Sequence, residues 1–448
     1  MREDALDTHT SVLPVLDQAH ATQVIELAVR MGETMLVAGA PASEVTRTIV
    51  RVADAYGMRP LHVDVTYNSI TTAGRAGDGA PVTTLRVVHG AAPDHAKLQR
   101  LQALQAEIAT GIPLGEAELR CRDIRRTPFR YRPTVIIAAQ ALLAVGVAIM
   151  FGVNLLNMSL AFLAAALAAL TQYLLARARV PYFFSQIAGG LVLTIVAALT
   201  PLLARTGWEQ AATIRPSVIV ASGIVLMLAG LTVVGAAQDA IDGFALTALG
   251  RLLELVTQTV GVVLGILLGL ELARVLGFAM EPPSQALPLG PLPLQFVGAA
   301  IIAVAVAIFN GAGVRIVVIS VVLSFVAWAG FTATGAIGFD VAAASGAGAF
   351  AGSLLGTLIA FRLHVPSVAV TIAAILPMVP GAAVFRGLLT IVESGEDATL
   401  LLSGAVTLAG AATVGVALAV GASLGIYLGQ PLRATLNGVT RARTRLRA

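Results

Sequence analysis

Residues 216–230 read PSVIVASGIVLMLAG, and residues 366–381 read PSVAVTIAAILPMVPG. The two stretches match with one residue inserted, and each is an apolar run interrupted near its end by glycine or proline. Two further pairs repeat at nearly the same spacing. VGVAIMFG at 145–152 answers VAVAIFNG at 304–311, and VGVVLGILLG at 260–269 answers VGASLGIYLG at 420–429. The offsets, about 159, 150 and 160 positions, fit one duplication. Three collinear matches are harder to obtain by chance among Ala-, Gly- and Val-rich segments than one. Five apolar runs fall in each copy, and because five is odd the second copy enters a membrane with opposite orientation. Such inverted-topology repeats are a recurring build of secondary transporters.

The composition agrees. The chain has 448 residues, 57% of them hydrophobic and only 12% charged, with a mean hydropathy of +0.86. Soluble domains carry about 25% charged residues. From about Thr134 onward, runs of membrane-spanning length follow at roughly 134–153, 156–175, 183–203, 216–235, 245–270, 294–311, 314–335, 340–361, 366–390 and 399–428. The expected fold is a mainly α membrane protein: about ten transmembrane helices as a five-plus-five inverted repeat, with a small cytoplasmic α/β head. The expected divisions are a head at 1–130, a first repeat at 131–275, a second at 290–432 and a basic tail at 433–448. A soluble enzyme is excluded, since no water-soluble fold needs ten such runs. Gly261, Gly265 and Gly269 share one helix face, as do Gly421, Gly425 and Gly429, and Gly348, Gly352 and Gly356. Such stripes let helices approach closely and speak for packing rather than for a ligand.

In the head, helices are expected from Val15 to Val37 and from Pro41 to about Tyr56, closed by Gly39 and Gly57. Leu61 to Thr72 and Pro81 to His89 read as two strands around the turn-forming GRAGDG at 74–79. Helices from Pro93 to Gly111 and from Pro113 to Arg122 complete an α-α-β-β-α-α order. Ser43, Glu44, His62, Asp64, His89 and His95 form no recognisable nucleophile, metal or phosphate motif. GRAGDG lacks the Lys-Ser/Thr of a P-loop. The head therefore reads as structural, gating or oligomerising, and a homo-oligomer is compatible with it. No catalytic residue, cofactor or metal is expected.

Basic residues cluster at membrane flanks, which makes the net charge of +4 a matter of topology rather than of nucleic acid. Arg120, Arg122, Arg125, Arg126, Arg130 and Arg132 precede the first span. Arg177 and Arg179, then Arg362 and His364, lie between later spans, and RARTRLR follows the last. Ten crossings with a cytoplasmic head put all of these, and both termini, on the cytoplasmic side, and the acidic loop from Glu393 to Asp397 outside. Cys121 is the only cysteine, which excludes internal disulfides and Cys-rich metal sites. The first twenty residues hold no apolar core of the kind a signal sequence needs.

Paired Gly/Pro interruptions in corresponding helices are the best sequence pointer to a transporter's binding site. Here they are MLAG, ending at Gly230, and PMVPG, with Pro377, Pro380 and Gly381. The two prolines each remove a backbone donor and break the helical ladder, so freed backbone groups and half-helix ends can face a zwitterionic solute. A simple proline kink is the plainer alternative. Ionisable residues within apolar runs are the second pointer. Arg251, Glu254 and Gln258 share a helix face with Thr247 and Gly261. Glu254 can exchange a proton during transport, or it can form a structural pair with Arg251. The position matching Glu254 in the second copy is Val414, so any coupling role is asymmetric. Asp239 and Asp242 follow the first interruption and Arg386 follows the second; opposite charges there suit the ammonium and carboxylate of an amino acid. Asn154, Asn157, Asn310, Ser185 and Gln186 are further polar candidates, each with the plainer reading of a helix-end or interhelix hydrogen bond.

The whole chain resembles the bacterial threonine/serine exporter family. The resemblance runs through LVAGAPASEVTRTIVRVADAYG at 36–57, MLAGLTVVGAAQDAIDGFALTALGRLLELV at 227–256 and ILPMVPGAAVFRGLL at 375–389. Gly230 and Asp239 match the family's break glycine and following aspartate. Ala229 stands where the family usually has proline, which implies a softer first break. The resemblance implies export of threonine and serine from the cytoplasm of a bacterium, across its inner membrane, driven by the proton motive force. Together with the interruptions and charges read above, the expected substrate group is Gly230, Asp239, Pro377, Pro380, Gly381, Arg386, Gln186 and Asn310, and proton coupling is expected through Glu254, Asp239 and Arg251. The chain holds no Walker-type motif, which disfavours an ATP-driven pump. A passive pore and a membrane-anchored hydrolase are the competing classes.

Overall fold

The computed structural model describes residues 18–75, 79–90, 92–206, 209–227, 230–278, 288–363 and 365–445, and these fall into two compact units. The first unit comprises 1–92 and 100–127. Helix α1 (Gln18–Val37) packs on α2 (Ala42–Ala55). The packing follows from α2's spacing: Val45, Thr48, Ile49, Val52 and Ala53 are all buried and repeat at helical intervals. Gly32 of α1 makes room for this face, since a Cβ there would meet Ile49 Cδ1 at 2.5 Å. A three-stranded antiparallel sheet follows, in the order β1 (Leu61–Thr66), β2 (Ser69–Arg75), β3 (Pro81–Val87).

The sheet corrects one expectation. The run 61–72 is a hairpin rather than one strand, reversing at Tyr67 and Asn68 so that Thr66 pairs with Ser69. Asparagine tolerates turn geometry, and the Thr66 and Ser69 hydroxyls lie 2.5 Å apart across the reversal. Arg75 pairs with Pro81 where β2 and β3 meet around the glycine-rich stretch, of which Ala76, Gly77 and Asp78 lie outside the described residues, as do Val15 to Asp17. Helices α3 (His95–Ala109) and α4 (Leu114–Arg126) complete the head elements. Gln102 donates to Glu44 at 2.5 Å, and burial holds that carboxyl above the usual carboxylate range.

The second unit comprises 93–99 and 128–448. Its helices are α5 (Pro133–Met150), α6 (Leu155–Arg177), α7 (Tyr182–Leu199), α8 (Pro216–Met227), α9 (Gly230–Ile241), α10 (Ala245–Val275), α11 (Leu292–Phe309), α12 (Val314–Ala336), α13 (Val341–Leu363), α14 (Ser367–Ile375), α15 (Gly381–Glu393) and α16 (Ala398–Arg445). Eight of these are long and apolar enough to cross a membrane: α5, α6, α7, α10, α11, α12, α13 and α16.

Among the described residues, the ten continuous spans expected from hydropathy become eight, or nine if one bent pair counts as a span. The two that fail the length test carry the interruptions. The run 216–235 belongs to two helices of 12 residues, α8 and α9, each rising about 18 Å against a hydrocarbon core of about 30 Å. Leu228 and Ala229, between them, lie outside the described residues. The run 366–390 is α14, a 3-10 turn at Leu376–Met378 and α15, bent by 54°. The physical cause is the proline pair, which removes amide donors inside the ladder. At the far end α16 continues as helix to Arg445, so the expected tail begins without a helix end.

Three tight helix pairs organise the core: α7 with α10, α13 with α16, and α5 with α11. A Cβ on Gly265 would run into the Ile187 carbonyl, and one on Gly421 into the Gly346 carbonyl. A Cβ on Gly146 would stand 3.0 Å from the Gly298 carbonyl. At Gly265 and Gly421 backbone blocks the space, whereas at Gly146 the Ile302 side chain, at 2.8 Å, stands nearest. Gly265→Ala is therefore expected to lower thermal stability in detergent by the equivalent of about 1–3 kcal/mol, the usual cost of overpacking. Gly335→Ala, where nothing lies within 4 Å, leaves the melting temperature unchanged in the same assay.

Candidate functional site

The break in the second half opens onto a cavity of about 510 Å³. The chain leaves α14 through the 3-10 turn, runs extended at Val379 (φ −67°, ψ 130°) and re-enters helix at Gly381. Pro377 has no amide, so the carbonyl of Ala373 loses its helical donor. Pro377, Pro380 and Arg386 line the cavity, with Trp328 of α12, Ser345 of α13 and Thr407 of α16. Ala221 and Ile224 of α8 close it from the first half of the chain.

Arg386 is half-buried and is the one charged side chain among the described residues of this wall. Trp328 Nε1 and Ser345 Oγ are buried without a hydrogen-bond partner among the described residues. Buried polar groups without partners cost free energy unless something occupies them. A guanidinium in the wall of an otherwise apolar space, with an indole and a hydroxyl side chain in the same lining, suits an anionic oxygen group such as a carboxylate. Phe331 stacks on Trp328 at 4.9 Å between ring centroids and helps hold the indole in place.

A second cluster lies on α9 and α10. Asp239 is fully buried and pairs with Arg251 at 3.0 Å. Gly235 makes this geometry possible, because a Cβ there would meet Arg251 Nη1 at 2.8 Å. Thr247, one turn before Arg251, is buried as well. Glu254 accepts a hydrogen bond from Gln258 at 2.9 Å, and Tyr182 at the start of α7 lies within Coulombic range of it. Arg251 thus reaches across to Asp239, where spacing alone pointed to Glu254. Neither Asp239 nor Glu254 lines the Arg386 cavity, so the expected opposition of Asp239 and Arg386 around one solute is not what the geometry brings together. Asp242 is exposed.

The remaining candidates divide. Gln186 is buried and accepts from Gln172 at 2.8 Å, close to Met227 at the first break through the notch at Gly189. Gly230 and Gly381 each begin the helix after a break. Asn310 caps the end of α11: its amide donates to the Val306 carbonyl at 2.9 Å, and its own carbonyl accepts from the His95 amide at 2.8 Å. That places Asn310 at a helix end rather than at the cavity. Burial lowers the His95 pKa to about 4. Asn154 caps α6 by accepting from the Asn157 amide at 3.0 Å, and Asn157 in turn accepts from the Arg215 amide at 2.8 Å. Ser185 is buried with no hydrogen-bond partner among the described residues. In the head, His62, Asp64 and His89 are exposed.

Sequence reasoning missed Trp328, Ser345 and Thr407. Trp328 carried the one available signal, as one of two tryptophans in the chain and set inside an apolar run. Ser345 sits in a small-residue helix, where a serine at a site and a serine at a packing seam read alike.

Eight apolar helices of spanning length and a bent pair make the chain a multi-pass membrane protein, and a cavity at a broken helix is the build of a transporter. Comparison with known proteins carries this to a family. The ThrE family model matches residues 26–273, and a model described as "Threonine/Serine exporter, ThrE" matches 295–427. A Mycobacterium tuberculosis protein named "Probable threonine/serine exporter" is 32% identical over 440 residues, covering 93% of this chain and 78% of its own length. A Corynebacterium glutamicum protein named "Threonine/serine exporter" is 31% identical over 384 residues, 84% of this chain and 77% of its own length. No solved structure matches the chain. The chain belongs to the threonine/serine exporter family, a family of transporters and not of enzymes.

Removing one partner of a buried pair leaves an uncompensated charge and costs about 3–5 kcal/mol. Asp239→Ala is therefore expected to destabilise the protein by about that much in thermal unfolding, and Asp239→Ala with Arg251→Met by clearly less. A loss in the double variant equal to the sum of the separate Asp239→Ala and Arg251→Met losses would mean that the pair is not coupled.

Proposed function

We propose that the protein exports threonine and serine from the cytoplasm across a bacterial inner membrane, driven by the proton motive force. The observation that carries the reading is the cavity at Pro377 and Pro380, whose wall holds Arg386 as its one charged side chain among the described residues, with Trp328 and Ser345 in the same lining. Thr407 and the backbone carbonyls freed by the break supply acceptors for the ammonium and side-chain hydroxyl of the solute. Pro377, Pro380, Gly381 and Arg386 form the substrate group at this break, and Gly230, with Gln186 nearby, its counterpart at the first. Asp239, Arg251 and Glu254 are the proton-coupling group. Protonation of Asp239 releases Arg251, and Glu254, on the same face of α10, is the group that exchanges the proton.

The architecture behind this mechanism is a five-plus-five inverted repeat, and helix bounds support it. Leu292 follows Pro133 by 159 positions, as Val314 follows Leu155 and Val341 follows Tyr182, each pair opening a helix. Met227 packs at Gly189 as Met378 packs at Gly348, and the two glycines are again 159 positions apart. Gly265 meets the Ile187 carbonyl and Gly421 meets that of Gly346. The equivalent packing pairs Gly265 with Gly421, one helical turn from the match that letters alone suggest. Counting α8 with α9 and α14 with α15 as two broken spans gives ten crossings. Head and C-terminus then share the cytoplasmic side, where the arginine clusters fall.

The test is threonine flux in proteoliposomes with an imposed pH gradient. The wild type accumulates threonine uphill. Glu254→Gln loses the dependence on the gradient, and Arg386→Gln loses flux by at least about tenfold, the equivalent of one charge-assisted hydrogen bond. Flux that ignores the gradient in the wild type favours a passive pore, and no threonine flux overturns the substrate.

A further inference from the structure

The head contains a second cavity, of about 380 Å³, lined by Leu27 and Arg30 of α1 and by Glu118, Cys121, Arg122, Arg125 and Arg126 of α4. Four guanidinium groups and the Glu118 carboxylate thus line it, with the Glu33 carboxylate also near Cys121. We propose that this cavity is a binding site for a phosphate-bearing anion, gripped by Arg30, Arg122, Arg125 and Arg126.

The arrangement has a cost that the chain itself does not offset. Arg122 and Arg126 stand four residues apart on one helix face, where like charges repel by a few tenths of a kcal/mol. Arg122, Arg125 and Arg126 make no hydrogen bond or ion pair among the described residues. The negative end of the α4 dipole accounts for cations in its last turn, at Arg125 and Arg126. It does not account for Arg30, which belongs to another helix and is already paired with Glu26, nor for a hollow between the two. Arg120, by contrast, spends its charge on Glu107 and Glu116 and stands outside the cavity.

The chemistry selects the ligand class. Planar guanidinium forks bind phosphate oxygens in bidentate fashion, and four converging forks exceed what a single carboxylate can occupy. The volume falls within the range of small-molecule sites, about 300–1,000 Å³. Burial pushes the Cys121 thiol up, with Arg125 and Arg30 acting against that rise and Glu118 and Glu33 adding to it; the thiol is therefore neutral and takes up none of the positive charge. Both a soluble phosphate compound and a phospholipid headgroup carry the required group.

The experiment uses the full-length protein in zwitterionic nanodiscs, titrated calorimetrically with inorganic pyrophosphate. Saturable binding in the micromolar to submillimolar range is expected, weakened at least tenfold in Arg30→Gln/Arg125→Gln and in the separate pair Arg122→Gln/Arg126→Gln. The control Arg47→Gln/Arg51→Gln removes the same charge from α2 and leaves binding unchanged. A parallel arm replaces part of the lipid with an anionic phospholipid. If pyrophosphate does not bind, but anionic lipid raises the melting temperature and both cavity variants abolish that rise while the control keeps it, the phosphate is a headgroup. No pyrophosphate binding and no variant-sensitive lipid effect overturns the proposal, as does an equal loss in the α2 control.

Discussion

In a membrane every backbone amide and carbonyl must find its partner within the protein, because lipid offers none. A helix meets that requirement cheaply; a helix broken in mid-membrane does not. Broken backbone at that depth is tolerated only where it is buried in protein or lines a cavity. The turn at Leu376–Met378 and the extended Val379 meet this condition, since the cavity wall is built from them and from facing residues of α8, α12, α13 and α16. The glycine seams serve the same end. By bringing α7 against α10 and α13 against α16 at backbone contact, they supply van der Waals packing where lipid gives no hydrophobic drive.

Charge is spent sparingly in this frame. Asp239 is fully buried and paired with Arg251, and a pair of this kind rarely adds net stability over apolar replacements. Arg386 is the contrasting case, a cation facing an apolar space among groups that only donate or are neutral. An anion in the cavity would balance that charge.

Much of this was legible in the sequence, for physical reasons that particular residues make plain. The apolar runs announced the membrane helices, and Pro377 and Pro380 announced the break, because a proline's missing amide is a local fact that needs no tertiary context. Helix starts at Leu292, Val314 and Val341 followed from the same periodicity. The hairpin at Tyr67 and Asn68 was hidden inside a continuous β-branched run. The pair of Arg251 with Asp239 was not legible, because Asp239 arrives from another helix and spacing carries no information about facing helices. Ser345 and Trp328 were invisible as site residues for the same reason: their unpartnered atoms matter only because the break opens beside them.

The central claim is that the solute occupies the cavity beside Arg386. A single cysteine at Ala383, which lines that cavity, can be placed in a Cys121→Ser background and labelled with a small thiol reagent in proteoliposomes. The account predicts that threonine slows labelling at Ala383→Cys several-fold, and that adding Arg386→Gln removes the protection. Labelling that proceeds at the same rate with and without threonine, at concentrations that saturate flux through the same variant, would contradict it.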